Sequence, residues 1–390
     1  MKRIQRCFVL TVSLAAALFL LLSFLGRRQE RSVFENRKLA AHPQFSLESL
    51  WDGSYFDGWD SYLSDHAARR DDLLRDYLWL NLKAKRQVIV NDVVLGKDVL
   101  LPYLGQKDPG STHLEDLARE SVSRLEAIRQ RVEDQGGRFL YFGIEGMSLV
   151  FQDGYPDYLP THVDYYEASA AAFQTAAEKA GLPTLYLTEL LGDRDPKAYY
   201  SRVDHHFNLL GAYESYAGIC QWAIDRDLEL PVIPLETWEI HPFNGPFYGA
   251  YARKLYDLSP VTEPMLVFNP DILPPYERWD NGERSNIPLL QLPAEGSPIE
   301  YAAYMGGDYG ETIIRTHRPE LPNLLIVGDS FTNPVEAFCA ASFNEVRSLD
   351  FRYLEDRSLS EYLEGYHADL VVVMRDSLHY LDLEGNGNLN

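Results

Sequence analysis

The sequence predicts an α/β fold with a mostly parallel sheet, and three features support this prediction. An apolar run at 324–327 breaks directly into Gly-Asp-Ser at 328–330, which is typical of a buried parallel strand that ends at a sheet edge. A second strongly apolar run at 369–374 is predicted to be the closing strand. From about residue 111 onward, helical and strand patterns alternate. Because α/β proteins place ligands at the carboxyl ends of parallel strands, Ser330 is a candidate functional residue.

The chain begins with an apolar segment at residues 7–25 that follows three basic residues. Its 19 residues exceed a usual signal-peptide core, and they match the roughly 20 residues needed to span a bilayer. The next residues, 26–28, are Gly-Arg-Arg and provide no small-x-small cleavage site. We therefore predict an uncleaved signal anchor at 1–30, with the short tail inside and the bulk of the chain outside the cytoplasmic membrane. Cleavage, which would leave a secreted protein, is the alternative.

Residues 31–105 are predicted to form a stem followed by an N-terminal segment of helix and hairpin. The stem, at about 32–44, is polar. An amphipathic helix is expected to run through about residue 86, and apolar runs on both sides of 96–98 predict a hairpin.

Residues 106–390 are predicted to form the α/β domain, with an irregular insertion rich in proline, glycine and aromatic residues at about 231–300. The helix that opens this domain is expected to be capped by Ser111 or Thr112 and to end near residue 135. The other predicted elements are helices at about 165–180, 209–223 and 335–341, and strands at 138–143 and 184–187.

The composition limits the partners and cofactors. A formal net charge of −22 disfavours binding to nucleic-acid phosphates and to anionic membrane surfaces. Cys7, Cys220 and Cys339 lack metal-ligand spacing and cannot form a disulfide framework. Only Cys220 and Cys339 could pair, but both fall in helix-like sequence, so buried free thiols are expected for them. We predict no nucleic-acid partner, no metal and no cofactor. A chain so poor in cysteine suits a cell envelope without oxidative disulfide formation.

A serine nucleophile requires a histidine that accepts its proton and a third group that orients the histidine. Asp204 and His206 supply both, since an aspartate two residues before a histidine can hold Nδ1–H while Nε2 faces the serine. Two other interpretations stay open. Ser330 could cap the following helix instead, and Asp204, His205 and His206 could bind zinc, although no fourth ligand suggests itself.

Two segments resemble the bacterial DHHW-motif proteins: Asp-His-His-Phe at 204–207 and Gly-Asp-Ser-Phe at 328–331. These proteins are similar to the SGNH-hydrolase-like domains of the alginate O-acetylation proteins. Phe207 stands where the family usually has a tryptophan. The first segment is followed by a match at 211–213 and the second by one at 350–353. Weaker matches extend the resemblance over most of the chain, at 35–39 with Pro43, at 65–66 with 69–71, and at 301–308.

The resemblance implies an SGNH-hydrolase-like, three-layer α/β/α domain outside the cytoplasmic membrane of a bacterium. It also implies an O-acetyltransferase or esterase that acts on a cell-envelope polysaccharide. Carried over by position, Ser330 is the nucleophile, His206 the general base and Asp204 its orienting acid. The acyl donor is expected to come from a membrane acyltransferase. A non-catalytic scaffold that binds polysaccharide or supports an assembly on the same fold is the alternative.

Supporting roles are assigned to four further residues. Backbone N–H groups near Ser330, with Gly306 or Gly307, are expected to hold the oxyanion of the reaction. Asp329 and His205, which are sequence neighbours of the catalytic candidates, are expected to support the site.

Overall fold

The computed structural model describes three stretches of the chain: 2–25, 29–104 and 113–389. Residues 26–28, on which the cleavage prediction depends, lie outside the described residues. The predicted helix cap at Ser111 or Thr112 lies outside them as well.

The chain divides into two compact units: Met1–Val93 with Ala252–Pro260, and Val94–Tyr251 with Val261–Asn390. We call these the N-terminal unit and the C-terminal unit. The boundaries predicted at residues 30 and 105 stay predictions.

The N-terminal unit is mainly helical. Its helices are α1 (Lys2–Leu25), α2 (Leu47–Trp51), α3 (Ser54–Asp65) and α4 (Arg70–Trp79), and α4 continues into a π-helical turn at Leu80–Ala84. Its short strands are β1 (Arg31–Ser32), β2 (Arg37–Lys38) and β3 (Ile89–Val90). Among the described residues, the segment Arg3–Phe24 of α1 is the one that is long and apolar enough to cross a membrane.

Two segments of the family resemblance meet within this unit. The Arg37 guanidinium donates hydrogen bonds of 2.7 and 2.5 Å to the Asp65 carboxylate, and the Ala40 N–H donates to the same carboxylate at 2.8 Å. The bond from Arg37 lowers the pKa of Asp65 from 3.8 to about 2, although burial opposes this shift. The polar stem is therefore tied to the end of α3.

From residue 93 onward the chain contains both helices and strands. The helices are α5 (His113–Asp134), α6 (Met147–Val150), α7 (Val163–Ala180), α8 (Leu187–Leu191), α9 (Leu209–Ile224), α10 (Ala250–Lys254), α11 (Thr332–Cys339) and α12 (Leu359–Gly365). The strands are β4 (Val93–Leu95), β5 (Leu100–Pro102), β6 (Arg138–Ile144), β7 (Thr184–Tyr186), β8 (His241–Pro242), β9 (Leu266–Val267), β10 (Glu277–Asp280), β11 (Glu283–Ser285), β12 (Glu311–Arg315), β13 (Asn323–Val327), β14 (Glu345–Leu349) and β15 (Leu370–Asp376).

The main sheet of the described residues has eight strands, in the order β11-β10-β12-β14-β13-β15-β6-β7. The five strands from β14 to β7 run parallel, while β12, β10 and β11 add antiparallel pairings at one edge. Because β10 and β11 come from the predicted irregular insertion, part of that insertion belongs to the sheet. The predicted α/β fold with a mostly parallel sheet is confirmed.

Strand β13 lies inside the sheet and is covered on both faces. Leu325 and Val327 belong to one buried cluster with side chains of α5, α7 and α12. Leu324 and Ile326 alternate with them and are also fully buried, on the face where α11 packs beside α9. Val327 pairs in register with Val373 of β15, so both strands end at the same edge of the sheet. The residues that follow Val327 are thereby delivered to that edge.

Candidate active site

Ser330 lies in the tight turn between β13 and α11. The turn is closed by two hydrogen bonds to Asp329: Phe331 N–H donates to Oδ1 at 3.0 Å, and Thr332 N–H donates to the backbone carbonyl at 2.9 Å. A Cβ at Gly328 would lie 2.8 Å from the Met374 carbonyl oxygen, so only glycine fits there. Asp329 therefore shapes the turn that presents Ser330.

Asp204 and His206 lie on a loop that precedes α9. A β-bridge between Tyr200 and Phe207 closes this loop, and the Ser201 hydroxyl accepts the Asp204 N–H at 3.0 Å within it. The Asn208 side chain then caps α9 by accepting the N–H groups of its first turn. These local hydrogen bonds hold the loop in one conformation and do not involve Ser330 or its turn.

The structure brings the three predicted catalytic residues together in one chain of hydrogen bonds. His206 Nε2 lies 2.7 Å from Ser330 Oγ, and His206 Nδ1 lies 2.6 Å from Asp204 Oδ1. The second carboxylate oxygen of Asp204 accepts the Ala250 N–H at 2.6 Å. A carboxylate that accepts from Nδ1–H leaves Nε2 free of a proton and able to accept one from the serine.

Asp204 is held in its charged form. The residue is only 1% exposed, and burial by itself raises the pKa of a carboxyl group. The attraction of His206 and its hydrogen bond outweigh that burial, and the pKa of Asp204 falls well below its usual range. Asp204 is therefore ionised at neutral pH and can stabilise an imidazolium at His206.

Aromatic rings fix the plane of the His206 imidazole. The Tyr301 ring stacks on it at 3.8 Å between centroids and 5° between planes, and the Phe331 ring meets it edge-on at 4.8 Å. The Tyr301 hydroxyl is buried and has no hydrogen-bond partner among the described residues. Sequence reasoning missed Tyr301 as a site residue, although it opens the 301–308 segment of the resemblance. We infer that its ring, and not its hydroxyl, serves the site.

Replacement of Tyr301 by leucine is expected to lower kcat of ester turnover about tenfold with little change in KM, because an imidazole that can rotate loses its alignment with Ser330. Tyr301→Phe keeps the stacked ring and removes a hydroxyl that is buried without a partner, so its kcat should stay within about twofold of wild type. Steady-state kinetics with an acetyl ester measures both. Equal losses in the two variants would assign the effect to the hydroxyl instead.

His205 and the two glycines lie near the site without forming the hydrogen-bond chain. The His205 ring packs on His206 at 3.7 Å, and its Nδ1 lies 3.4 Å from Asp204 Oδ1. Gly307, which has a positive φ of 114°, borders a small cavity that Asp329 also lines. Gly306 packs against Ile287. The oxyanion role of the glycines and the supporting role of His205 stay predictions.

A second aspartate–histidine pair lies at the end of β15. His379 Nδ1 is 2.6 Å from Asp376 Oδ2, the same separation as in the first pair. Side-chain atoms of Asp329, Asp376 and His379 lie within 4.8 Å of one another, as do those of Asp204, His205 and His206. Such spacing is compatible with metal ligation, but hydrogen bonds already occupy the facing atoms of both histidine–aspartate pairs.

The His379–Asp376 pair predicts a pH-dependent contribution to stability. The hydrogen bond that His379 Nδ1–H donates to the Asp376 carboxylate raises the pKa of His379 from 6.5 to about 9. A raised pKa stabilises the folded state fully below pH 6.5, and this stabilisation is lost as the pH rises through 9. Because 54% of the His379 side chain is exposed, we expect solvent screening to leave only about 1 kcal/mol.

Urea unfolding of the wild type and His379→Gln in detergent at pH 6 and pH 10 measures this contribution. The free energies of unfolding should differ at pH 6 and converge at pH 10. A difference that persists at pH 10 would contradict the ion-pair origin.

Comparison with known proteins supports the same fold. The model of the family described as DHHW protein matches residues 35–102. PatB1 from Bacillus cereus is 17% identical with a TM-score of 0.61, over 74% of this chain and 96% of PatB1. A second structure of PatB1, with a sulfonyl adduct, is 16% identical with a TM-score of 0.58, over 74% of this chain and 97% of PatB1.

A DHHW family protein from Eubacterium siraeum is 20% identical with a TM-score of 0.55, over 76% of this chain and 94% of that protein. No curated protein matches the chain. The solved structures, at these identities, establish the fold. Together with the family match, they confirm the resemblance of this chain to the DHHW proteins.

Proposed function

We propose that the chain is a membrane-anchored extracytoplasmic O-acyltransferase or esterase that acts on acyl esters of a cell-envelope polysaccharide. The observation that carries this proposal is the continuous hydrogen-bond chain from Asp204 through His206 to Ser330. A serine in this arrangement is activated for attack on a carbonyl, which a serine at its ordinary pKa is not.

The proposed reaction has two half-reactions. Ser330 Oγ attacks the carbonyl carbon of the acyl donor while His206 Nε2 takes the serine proton. The tetrahedral intermediate then expels the donor's leaving oxygen, which receives that proton from His206, and an acyl-serine ester remains. In the second half-reaction His206 removes a proton from a sugar hydroxyl or from water. The resulting oxygen attacks the acyl-serine, and Ser330 regains its proton from His206.

Stabilisation of the oxyanion is proposed to come from backbone N–H groups. The Phe331 N–H already donates to Asp329 Oδ1, so we do not assign it this role. The N–H of Ser330 itself and that of Gly307 are the candidates, since Gly307 lies beside Asp329 on the adjoining cavity. This chemistry needs neither a metal nor an organic cofactor.

The acceptor is proposed to bind in a pocket of about 230 Å³ next to Tyr301. Its walls include the aromatic rings of Phe247 and Tyr304 together with the polar side chains of Arg202 and Asn208. Aromatic faces with polar groups at their edges suit a sugar ring, whose C–H face packs on an aromatic ring while its hydroxyls hydrogen-bond.

Helix α1 is proposed to stay attached as a single-pass anchor in the cytoplasmic membrane of a bacterium. Its apolar segment Arg3–Phe24 is long enough to cross the bilayer. We propose that a membrane acyltransferase supplies the acyl group, because the anchor keeps the chain attached to the membrane that would hold such a partner. A non-catalytic polysaccharide-binding scaffold is the alternative, and it does not require the alignment of Ser330 with His206.

Covalent labelling tests the proposal directly. The solved structure of PatB1 with a sulfonyl adduct supports the use of a sulfonyl probe on this fold, and a fluorophosphonate is a second probe for an activated serine. The full chain in detergent should incorporate one probe on the peptide that contains Ser330, and Ser330→Ala should not. Labelling that survives in Ser330→Ala, or no labelling of folded wild type, would contradict the nucleophile assignment. Transfer of an acetyl group to saccharides, measured against release to water, separates transferase from esterase.

A further inference from the structure

The N-terminal unit exposes a group of large apolar side chains on and around α2. Trp51 is 94% exposed and Leu47 is 79% exposed. Phe45, Phe56 and Leu50 are exposed by 62%, 61% and 40%. Leu47, Leu50 and Trp51 have the i, i+3, i+4 spacing that places them on one side of α2. We call these five residues the apolar face; a cluster of this kind marks an interaction surface.

The apolar face is connected to the end of the membrane helix through aromatic contacts within the unit. Phe24, in the last turn of α1, lies edge-on to Trp59 at 6.3 Å between centroids. Trp59 contacts Tyr55 at 6.3 Å, and Tyr55 contacts Phe45 at 5.5 Å. The Ser23 hydroxyl accepts the Ala68 N–H at 2.9 Å, which is a second tie between α1 and the segment after α3.

This connection sets the height of the apolar face relative to a bilayer. The 22 residues of Arg3–Phe24 give a helix of about 33 Å, enough to cross a hydrocarbon core of about 30 Å. The last turn of α1 therefore lies at the boundary between acyl chains and headgroups. Trp59 and Ala68, which contact this turn directly, therefore lie close to that boundary, and the ring contacts lead from Trp59 to Phe45 in the apolar face.

The charges around the apolar face indicate which lipid surface it fits. Residues 39–68 contain no lysine or arginine but contain acidic residues, namely Glu48, Asp52, Asp57, Asp60 and Asp65. Three arginines that flank this stretch, Arg37, Arg69 and Arg70, are paired with Asp65, Asp72 and Glu35, so attraction to anionic headgroups is not the main source of binding. Tryptophan and phenylalanine favour the interface of a bilayer without any such attraction.

We propose that α2 and the start of α3 lie in the membrane interface, with Trp51, Leu47 and Phe56 inserted between uncharged phospholipid headgroups. The bilayer covers apolar surface that water would otherwise contact. Contacts at both α1 and the apolar face hold the N-terminal unit in one orientation on the membrane, where a single helix would let it rotate. The inference rests on the retained anchor of the proposed function and does not depend on the chemistry at Ser330.

Quenching of tryptophan fluorescence tests the inference on the full chain. The protein is placed in nanodiscs of phosphatidylcholine, either plain or brominated near the headgroup end of the acyl chains. The fluorescence of Trp51 is obtained as the difference in intensity between wild type and Trp51→Phe. It should fall at least about twofold in brominated lipid, since quenching requires contact between the ring and the bromine. Trp222, which is 9% exposed, is the control: the contribution removed by Trp222→Phe should change by less than about 1.2-fold.

Three results would overturn the proposal. The first is Trp51 fluorescence that is the same in plain and brominated lipid, in a sample whose intact mass shows that residues 1–30 are retained. This result would assign the apolar face to a protein partner. The second is quenching that appears only when anionic lipid is added. The third is an intact mass that shows cleavage after the apolar segment. Probe labelling of Ser330 in the same sample reports separately on the proposed chemistry, so failure of one proposal is distinguishable from failure of the other.

Discussion

Ser330→Ala is expected to lower kcat/KM for an acetyl ester by about 10⁴-fold, because the substitution removes the hydroxyl that forms the acyl-enzyme. The Ser330 side chain is only partly buried, so its removal should leave the fold intact. The full chain in detergent, with a chromogenic acetyl ester as substrate, provides the measurement. If the Tm of the variant lies within a few degrees of the wild-type Tm, the loss of activity comes from the missing nucleophile and not from unfolding.

Ser342→Ala is the matched control for this experiment. Ser342 is a buried serine whose hydroxyl bonds to the Tyr216 hydroxyl at 2.6 Å, so its loss also removes one serine hydrogen bond to a ring side chain. The control should turn over the ester at a rate close to wild type. Comparable losses in both variants, or retained turnover in Ser330→Ala, would contradict the assigned nucleophile.

Asp204→Asn is expected to lower kcat by about 10³- to 10⁴-fold with a smaller change in KM. The side-chain amide of this variant has two possible orientations. In the first, its NH₂ group faces the Ala250 N–H, so that two donors meet; in the second, its NH₂ group donates to His206 Nδ1. In the second case the imidazole carries its proton on Nε2 and cannot accept the proton of Ser330. Kinetics of the variant above and below pH 7 checks this, since the loss should persist at both.

Asp376→Asn provides the matched control for Asp204→Asn. Asp376 makes the same 2.6 Å contact to a histidine, but the histidine that contacts Ser330 is His206. The control should therefore keep turnover within about threefold of wild type, because it changes a pair outside the serine hydrogen-bond chain. The opposite outcome, with loss in Asp376→Asn and retention in Asp204→Asn, would transfer the base role to His379.

Much of the C-terminal unit could be predicted because its patterns are local. Short apolar runs placed β6, β13 and β15, and helical patterns placed α7 and α9, close to their observed bounds. The insertion at about 231–300 was not resolved into elements. Its strands β10 and β11 are short: β10 pairs with β12, which lies more than 25 residues later in the chain, and β11 pairs only with β10.

The sequence by itself determined which groups could do chemistry: a serine after a buried strand, and an aspartate two residues before a histidine. Only the tertiary structure decided that they meet, since His206 and Ser330 are 124 positions apart and their contact depends on two loops ending at one sheet edge. The same holds for the Tyr301 ring on His206 and for the Phe24–Trp59 contact that connects the apolar face to α1. The periodicity of a sequence predicts which side of a helix or strand a residue faces. Packing between distant segments determines which partner the residue contacts there.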